Sequence, residues 1–194
     1  PGSSIATHAQ RHLGQAIVLT VDLTDFFPST AAHRIRRLFS HLGWQGQSLQ
    51  LLMRLCVYCG GLPQGAPTSP ALSNLVNRPL DEQLSERAAM CGARYSRYCD
   101  DLAFSWGTES EPLAFRRRME DTLGRFGYRV NPTKGWRLQR IDQQPEITGI
   151  VLDGHRLRLS EGILARIRRI KSGWFFSLTA KEREQLQGYF GLRK

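Results

Sequence analysis

Apolar and polar positions alternate along Ile17–Leu23, with Ile17, Leu19, Val21 and Leu23 on one face and Val18, Thr20 and Asp22 on the other. A period of two predicts a strand. Ala31–Leu42 and Gln47–Val57 carry a helical period instead. Gly60–Pro70 is rich in Gly and Pro and reads as a loop, after which Ala71–Met90 reads as one long helix. Arg94–Tyr98 and Leu102–Trp106 are short strands three residues apart, which predicts a hairpin. Pro112–Phe126 is helical, and short strands are predicted around Tyr128–Val130, Trp136–Gln139, Ile147–Leu152 and Arg156–Leu159. Two helices, Glu161–Lys171 and Ala180–Phe190, finish the chain. This order predicts an α+β fold: an antiparallel sheet flanked by helices, then a helical tail.

Composition narrows the classes. Of 194 residues 41% are hydrophobic, enough to bury a core, which excludes a disordered chain. No apolar run approaches the roughly 20 residues needed to span a bilayer, so a cytoplasmic protein with no membrane partner is expected. Pro1-Gly2-Ser3-Ser4 has neither the charged nor the apolar part of a signal peptide and no initiator Met, which reads as a fragment or a trimmed chain.

The formal charge is +10, from 23 Arg and only 4 Lys among the basic residues. Guanidinium forks grip phosphate bidentately, so an Arg excess leans toward nucleic acid, although a GC-rich genome also favours Arg codons. Position adds weight: between Arg156 and Lys194 ten basic residues face three acidic ones. Charge so concentrated reads as a surface laid against a polyanion. Of the four cysteines, Cys56 and Cys59 have the spacing of a redox pair or half a zinc site. Nothing nearby completes a tetrahedral cage, so buried free thiols are the reading adopted.

The candidate chemistry lies in carboxylates. Asp100-Asp101 falls at the tip of the predicted hairpin, where it serves equally as an exposed polar turn or as a cation site. Asp22 is a charge inside an apolar strand, where burial without a partner is expensive. A salt bridge to one of the many arginines would satisfy it. A central strand holding Asp22 beside the hairpin would instead bring three carboxylates together. Such a set suits Mg²⁺, which takes a few carboxylate oxygens plus substrate phosphates, and two such ions can clamp an in-line phosphoryl displacement.

Four segments, in order, carry a resemblance. Val21-Asp22-Leu23-Thr24-Asp25-Phe26-Phe27-Pro28-Ser29 resembles the first palm motif of prokaryotic reverse transcriptases, and Gly61–Pro70 their Pro-Gln-Gly motif. Tyr98-Cys99-Asp100-Asp101 is similar to their Tyr-x-Asp-Asp box, and Gly127–Lys134 to the block that follows. The resemblance implies a polymerase palm with partial fingers over residues 1–159 and the start of a basic helical thumb over 160–194. It implies two Mg²⁺ ions, with Mn²⁺ able to substitute, held by Asp22, Asp100 and Asp101. Lys134 would assist the departing pyrophosphate as proton donor or charge stabiliser. Phe27 would be the steric gate against a sugar 2′-hydroxyl, with core packing beside Phe26 as its alternative. Leu23, Asp25 and Phe26 would meet the triphosphate, and Gln64 and Gly65 would line the nucleotide pocket. Ile163, Ile167 and Ile170 form an apolar stripe on the predicted Glu161–Lys171 helix. Arg166, Arg168, Arg169 and Lys171 spread over the rest and would meet a duplex backbone.

Within that family the retron type resembles this chain most. The segment around His8-Ala9-Gln10-Arg11-His12 is similar to a retron Asn-Ala-x-x-His signature, with His8 in place of the Asn. Ile147-Thr148-Gly149 resembles the retron Val-Thr-Gly triplet, with Ile147 in place of the Val. Group II intron and defence-associated relatives stay open. The resemblance implies RNA-directed DNA synthesis from dNTPs, a cognate structured RNA as template and primer, a DNA product, an accessory or effector protein as further partner, and a role in phage defence. It also implies that part of the fingers and thumb is missing. Two other readings stand beside it: a palm kept as an RNA-binding scaffold without catalysis, and a template-independent or protein-primed defence polymerase.

Overall fold

The computed structural model describes residues 4–108 and 112–171, apart from the side chains of 112, 113, 170 and 171. The predicted helix Ala180–Phe190 and the side chains of Ile170 and Lys171 lie outside the described residues. The strand predicted from the first alternation is β1 (Ile17–Asp22). It sits inside a four-stranded antiparallel sheet of order β2-β3-β1-β4, with β2 Arg94–Tyr98, β3 Asp101–Trp106 and β4 Trp136–Arg140. Its two faces have different fates. Ile17, Leu19, Val21 and Leu23 join Leu102 and Phe104 of β3 in the main core. That core is covered by Leu80, Leu84 and Ala88 of α6 (Arg78–Met90) and by Phe115, Met119 and Leu123 of α7 (Pro112–Arg125). Leu19, Leu102 and Phe104 are fully buried, each contributing about 1.5–3 kcal/mol of transfer free energy.

On the opposite face Val18 and Ala103 pack with Ile5 and Ala9 of α1 (Ile5–Gln10) and with a second sheet. This sheet is antiparallel, with order β5 (Glu146–Ile147), β6 (Ile150–Asp153) and β7 (Arg156–Leu159). Ile163 of α8 (Glu161–Lys171) completes that cluster and Ile167 packs against it, as the predicted stripe requires. A third cluster unites α3 (Ala32–His41), α4 (Gly46–Cys56) and α5 (Ser69–Val76) around Ile35, Phe39, Met53 and Leu72. The half-buried Phe27, in the short helix α2 (Phe26–Ser29), packs against both this cluster and the main core.

Five expectations are corrected. The single sheet is two sheets. The long helix Ala71–Met90 is broken at Asn77 into α5 and α6, because Pro79 lacks an N–H and disfavours helical backbone before it. The freed Asn77 side chain then accepts hydrogen bonds from Arg34 (2.8 Å) and Tyr128 (2.8 Å). The strand Ile147–Leu152 is folded back on itself at Thr148 (φ 49°) and Gly149 (φ 82°). At Tyr128–Val130 only a single bridge forms, from Val130 to Leu23. Among the cysteines, all free, only Cys56 is buried; Cys59 is exposed and Cys91 and Cys99 are half-buried. No described helix is long and apolar enough to cross a membrane.

A buried polar chain runs under α1. His8 Nδ1 and His12 Nε2 both bond Ser96 Oγ at 2.7 Å, and His12 Nδ1 bonds Ser105 Oγ at 2.6 Å. Burial first, then the charges of Arg11 and Arg97, push the His8 pKa down to about 4. Burial, then His8, Arg94 and Arg11, push His12 down to about 3. Below its ordinary pKa near 6.5 a histidine takes up a proton in the unfolded chain before the folded one does. Stability is therefore complete above that pH and falls as pH drops toward 4 and 3. Chemical denaturation at pH 5 should show roughly 2 kcal/mol lost per histidine relative to pH 7. A His8→Gln, His12→Gln double variant should flatten that slope, and an unchanged slope would assign it elsewhere.

Candidate active site

Asp22 ends β1 and Asp101 begins β3, and the register sets them directly opposite each other. Opposed residues on antiparallel strands carry Cβ atoms about 4.5–5.5 Å apart, and like charges so placed repel. The fold accepts this juxtaposition by enclosing Asp22, which is 8% exposed, with two donors. Asn131 Nδ2 donates to Asp22 Oδ1 at 2.9 Å, and Lys134 Nζ donates to Oδ2 at 2.6 Å. Asn131 also shapes the turn that aims Lys134. Its Oδ1 accepts the N–H of Thr133 and of Lys134, and its own N–H is donated to the Asp22 carbonyl at 2.9 Å.

Asp100 joins the site through the backbone, its carbonyl accepting the Leu23 N–H at 3.1 Å. The hairpin turn is thus Cys99-Asp100, two residues rather than three, because Asp101 is already paired in β3. The Lys134 pKa is raised above its ordinary value. Its hydrogen bond to Asp22 raises it most, partial burial opposes this, and the charges of Asp22, Asp101 and Asp100 raise it further. Lys134 therefore stays an ammonium through neutral pH, and the ion pair is lost only as pH rises past that raised value.

A cavity of about 440 Å³ opens here, lined by Thr20, Asp22, Asp101, Lys134, His8 and the Thr148-Gly149 turn among others. A neighbouring cavity of about 270 Å³ shares Asp101, Glu146, Thr148 and Gly149 and reaches Arg166 on α8. Arg168 and Arg169 are exposed on the same helix but line neither cavity, and Arg168 lies 3.8 Å from Glu161. Three residues at this edge hold left-handed backbone without being glycine: Asp25 (φ 46°), Cys99 (φ 52°) and Thr148 (φ 49°). Each such residue costs on the order of 1–3 kcal/mol, and strain of this kind gathers at functional sites.

The remaining predicted residues form a second group. Phe26 is buried and stacked on Tyr128 at 5.2 Å, with Phe27 edge-on at 5.4 Å. Leu62 donates its N–H to the Phe27 carbonyl at 3.1 Å, docking the Gly61–Gly65 loop onto α2. Gln64 and Gly65 at the loop tip, and Asp25 before α2, are exposed. Leu23 is buried, and its N–H already serves Asp100. None of Phe27, Gln64 and Gly65 lines the carboxylate cavity.

The donor set suits a hard divalent cation: carboxylate oxygens from neighbouring strand ends, with a cationic ammonium already drawn to Asp22. Among the described residues, no three His, Cys, Asp or Glu side chains close onto one point as metal ligands.

The sequence pattern of the reverse transcriptase (RNA-dependent DNA polymerase) family matches residues 1–149. The chain belongs to this family. Within it the chain is retron-like. It is 32% identical over 190 residues to the retron Ec86 reverse transcriptase of Escherichia coli, covering 96% of this chain and 58% of that one. To the retron Mx162 reverse transcriptase of Myxococcus xanthus it is 33% identical over 180 residues, covering 78% and 37%. To the Mx65 enzyme of the same organism it is 35% identical over 181 residues, covering 79% and 40%. The chain thus spans from about a third to somewhat over half the length of these relatives.

Sequence reasoning missed Asn131, His8 and Glu146 at this carboxylate site. Asn131 was recoverable, since Asn-Pro-Thr-Lys is an Asx-turn signal three residues before Lys134. His8 and Glu146 reach the cavity only through tertiary packing.

Proposed function

We propose that this chain is the palm, with part of the fingers, of an RNA-directed DNA polymerase, with the start of the thumb at 160–194. The observation that carries the reading is Asp22 set opposite Asp101, with Lys134 hydrogen-bonded to Asp22 at the cleft. Asp22, Asp100 and Asp101 would hold two Mg²⁺ ions, or Mn²⁺ in their place, which supply charge neutralisation at the attacking and leaving oxygens. The chain's own residues do the rest. Asn131 and Lys134 hold the Asp22 carboxylate in place through one hydrogen bond to each oxygen. Lys134, held as an ammonium, is suited to stabilise or protonate a departing pyrophosphate. Phe27, packed against two hydrophobic clusters, would be the steric gate against a 2′-hydroxyl. Asp25 and Phe26, with Gln64 and Gly65, would border the dNTP. Arg166, Arg168, Arg169 and Lys171 would track a duplex backbone, giving salt-sensitive binding without sequence choice.

By analogy with its retron relatives, the template and primer would be a cognate structured RNA, and the biological role phage defence with an effector partner. The test is extension of a primed RNA by the full-length protein with dNTPs and Mg²⁺. Extension is expected for the native protein, and none for Asp100→Asn. Extension that persists in Asp100→Asn would overturn the assignment of the turn. The second reading, an RNA-binding palm without catalysis, draws on the Asp22–Lys134 ion pair, which gives Asp22 a structural partner. Salt-sensitive RNA binding with no incorporation under any divalent ion would favour it. Product formed without template, or left attached to protein, would mark a template-independent or protein-primed enzyme.

A further inference from the structure

We propose that Arg97 is a positioning residue for the Asp100-Asp101 turn, acting through the Cys99 carbonyl and anchored by Asp81. The inference rests on reading that turn as the nucleotidyl-transfer site. Arg97 lies in β2, yet its side chain is only 4% exposed. A buried guanidinium is costly unless its N–H groups are met in the right geometry. Here the fork closes on one carboxylate: Nε donates to Asp81 Oδ1 at 2.7 Å and Nη2 to Oδ2 at 2.6 Å. Tyr95 donates its hydroxyl to the same Oδ1 at 2.7 Å, fixing the carboxylate in turn. The cation also sits 5.4 Å from the centre of the Phe26 ring.

The third arm carries the consequence. Nη1 donates to the Cys99 carbonyl at 3.1 Å, and Cys99 is the left-handed residue of the turn. That carbonyl belongs to the peptide joining Cys99 to Asp100. The next peptide is held from the opposite side, where the Asp100 carbonyl accepts from Leu23. Both peptides flanking Asp100 are therefore pinned, one by a side chain from β2 and one by the strand that bears Asp22. A turn this tight has no glycine to relax it, and the two bonds add to the Tyr98–Asp101 strand pairing in holding its shape. Burial works against the charge of Arg97, but the hydrogen bonds and charge of Asp81 more than offset it and raise its pKa, so the latch is ionised at any working pH. Lys at this position keeps the charge but cannot fork Asp81 and reach Cys99 together.

The experiment uses the full-length protein, with Arg97→Lys, Asp81→Asn and the double variant, each assayed at least about 10 °C below its own thermal midpoint. Arg97→Lys is expected to lower kcat roughly 10- to 100-fold while KM for dNTP and RNA affinity stay within about twofold. The Mn²⁺ dissociation constant, read by electron paramagnetic resonance without nucleotide or turnover, should rise about tenfold. Asp81→Asn should reproduce both shifts, and the double variant should add little beyond either single change. A purely structural Arg97 would lower the midpoint but leave kcat per folded molecule and Mn²⁺ affinity at native values, which overturns the proposal. If Arg97→Lys fails to fold, Asp81→Asn, which retains an acceptor, is read by the same two criteria. Asp100→Asn, run in parallel, separates the two levels. Full activity there sinks the site assignment itself, whereas its loss beside an indifferent Arg97→Lys sinks only the latch.

Discussion

Asp22→Asn is expected to lower nucleotide incorporation by about 10³-fold or more, while the thermal midpoint moves by no more than about 4 °C. The two halves of this expectation have separate causes. Catalysis of phosphoryl transfer is mostly positioning and charge neutralisation, so on the proposed reading removing one of the three metal-holding carboxylates would take out what no neighbour supplies. A loss of that size is about 4 kcal/mol of transition-state stabilisation. Folding responds differently. Asn keeps an acceptor for Asn131 or Lys134, and it removes the repulsion between Asp22 and the opposed Asp101. Lys134 is mostly exposed, so its lost ion pair regains water. Incorporation rates on primed RNA and a melting curve check both halves. A variant that melts far below the native protein would make Asp22 chiefly structural, and one that incorporates normally would remove it from the chemistry.

The second large effect concerns Gly61. A Cβ added there would lie 2.0 Å from the Pro28 carbonyl oxygen and 2.7 Å from its carbon. Both are backbone atoms, so no side chain can swing aside. Gly61 is fixed as well, exchanging hydrogen bonds with Tyr58 while its neighbours Gly60 and Leu62 bond Ala32 and Phe27. Gly61→Ala must push the loop off α2, at about 2–3 kcal/mol or more, which lowers the midpoint by roughly 4–12 °C. The displacement falls between Phe27 and Gln64, so surviving protein should also discriminate less between dNTPs and ribonucleotides. Gly65→Ala is the control. Its position is left-handed (φ 80°) but open, with nothing within 4 Å, and only the backbone term of about 1–2 kcal/mol applies. Equal effects at the two glycines would refute the close-approach argument.

What the sequence disclosed followed from short-range rules. The alternation in β1 located both its core face and Asp22, and the four motif segments named the acidic turn and Lys134. The break at Asn77 was readable too, since Pro79 stands inside the helical run. Other features had no local signal. Thr148 is β-branched and reads as strand, yet tertiary context holds it in a left-handed turn. Arg97 and Asp81 lie sixteen residues apart, and their union depends on how α6 lies against β2. Gly61 looks like any loop glycine until Pro28 is brought beside it. Gln64 and Gly65 of the same loop are surface-exposed, so burial offers no clue to them.

The odd and even positions of β1 bind core and chemistry into a single constraint. Were one residue inserted between Ile17 and Val21, everything beyond it would rotate half a turn, pointing Val21 at the cleft and driving Asp22 toward Leu102 and Phe104. A single-residue insertion that is not absorbed as a bulge therefore disturbs hydrophobic packing and acidic cleft together, whereas a hydrophobic exchange along the inner face touches only the packing.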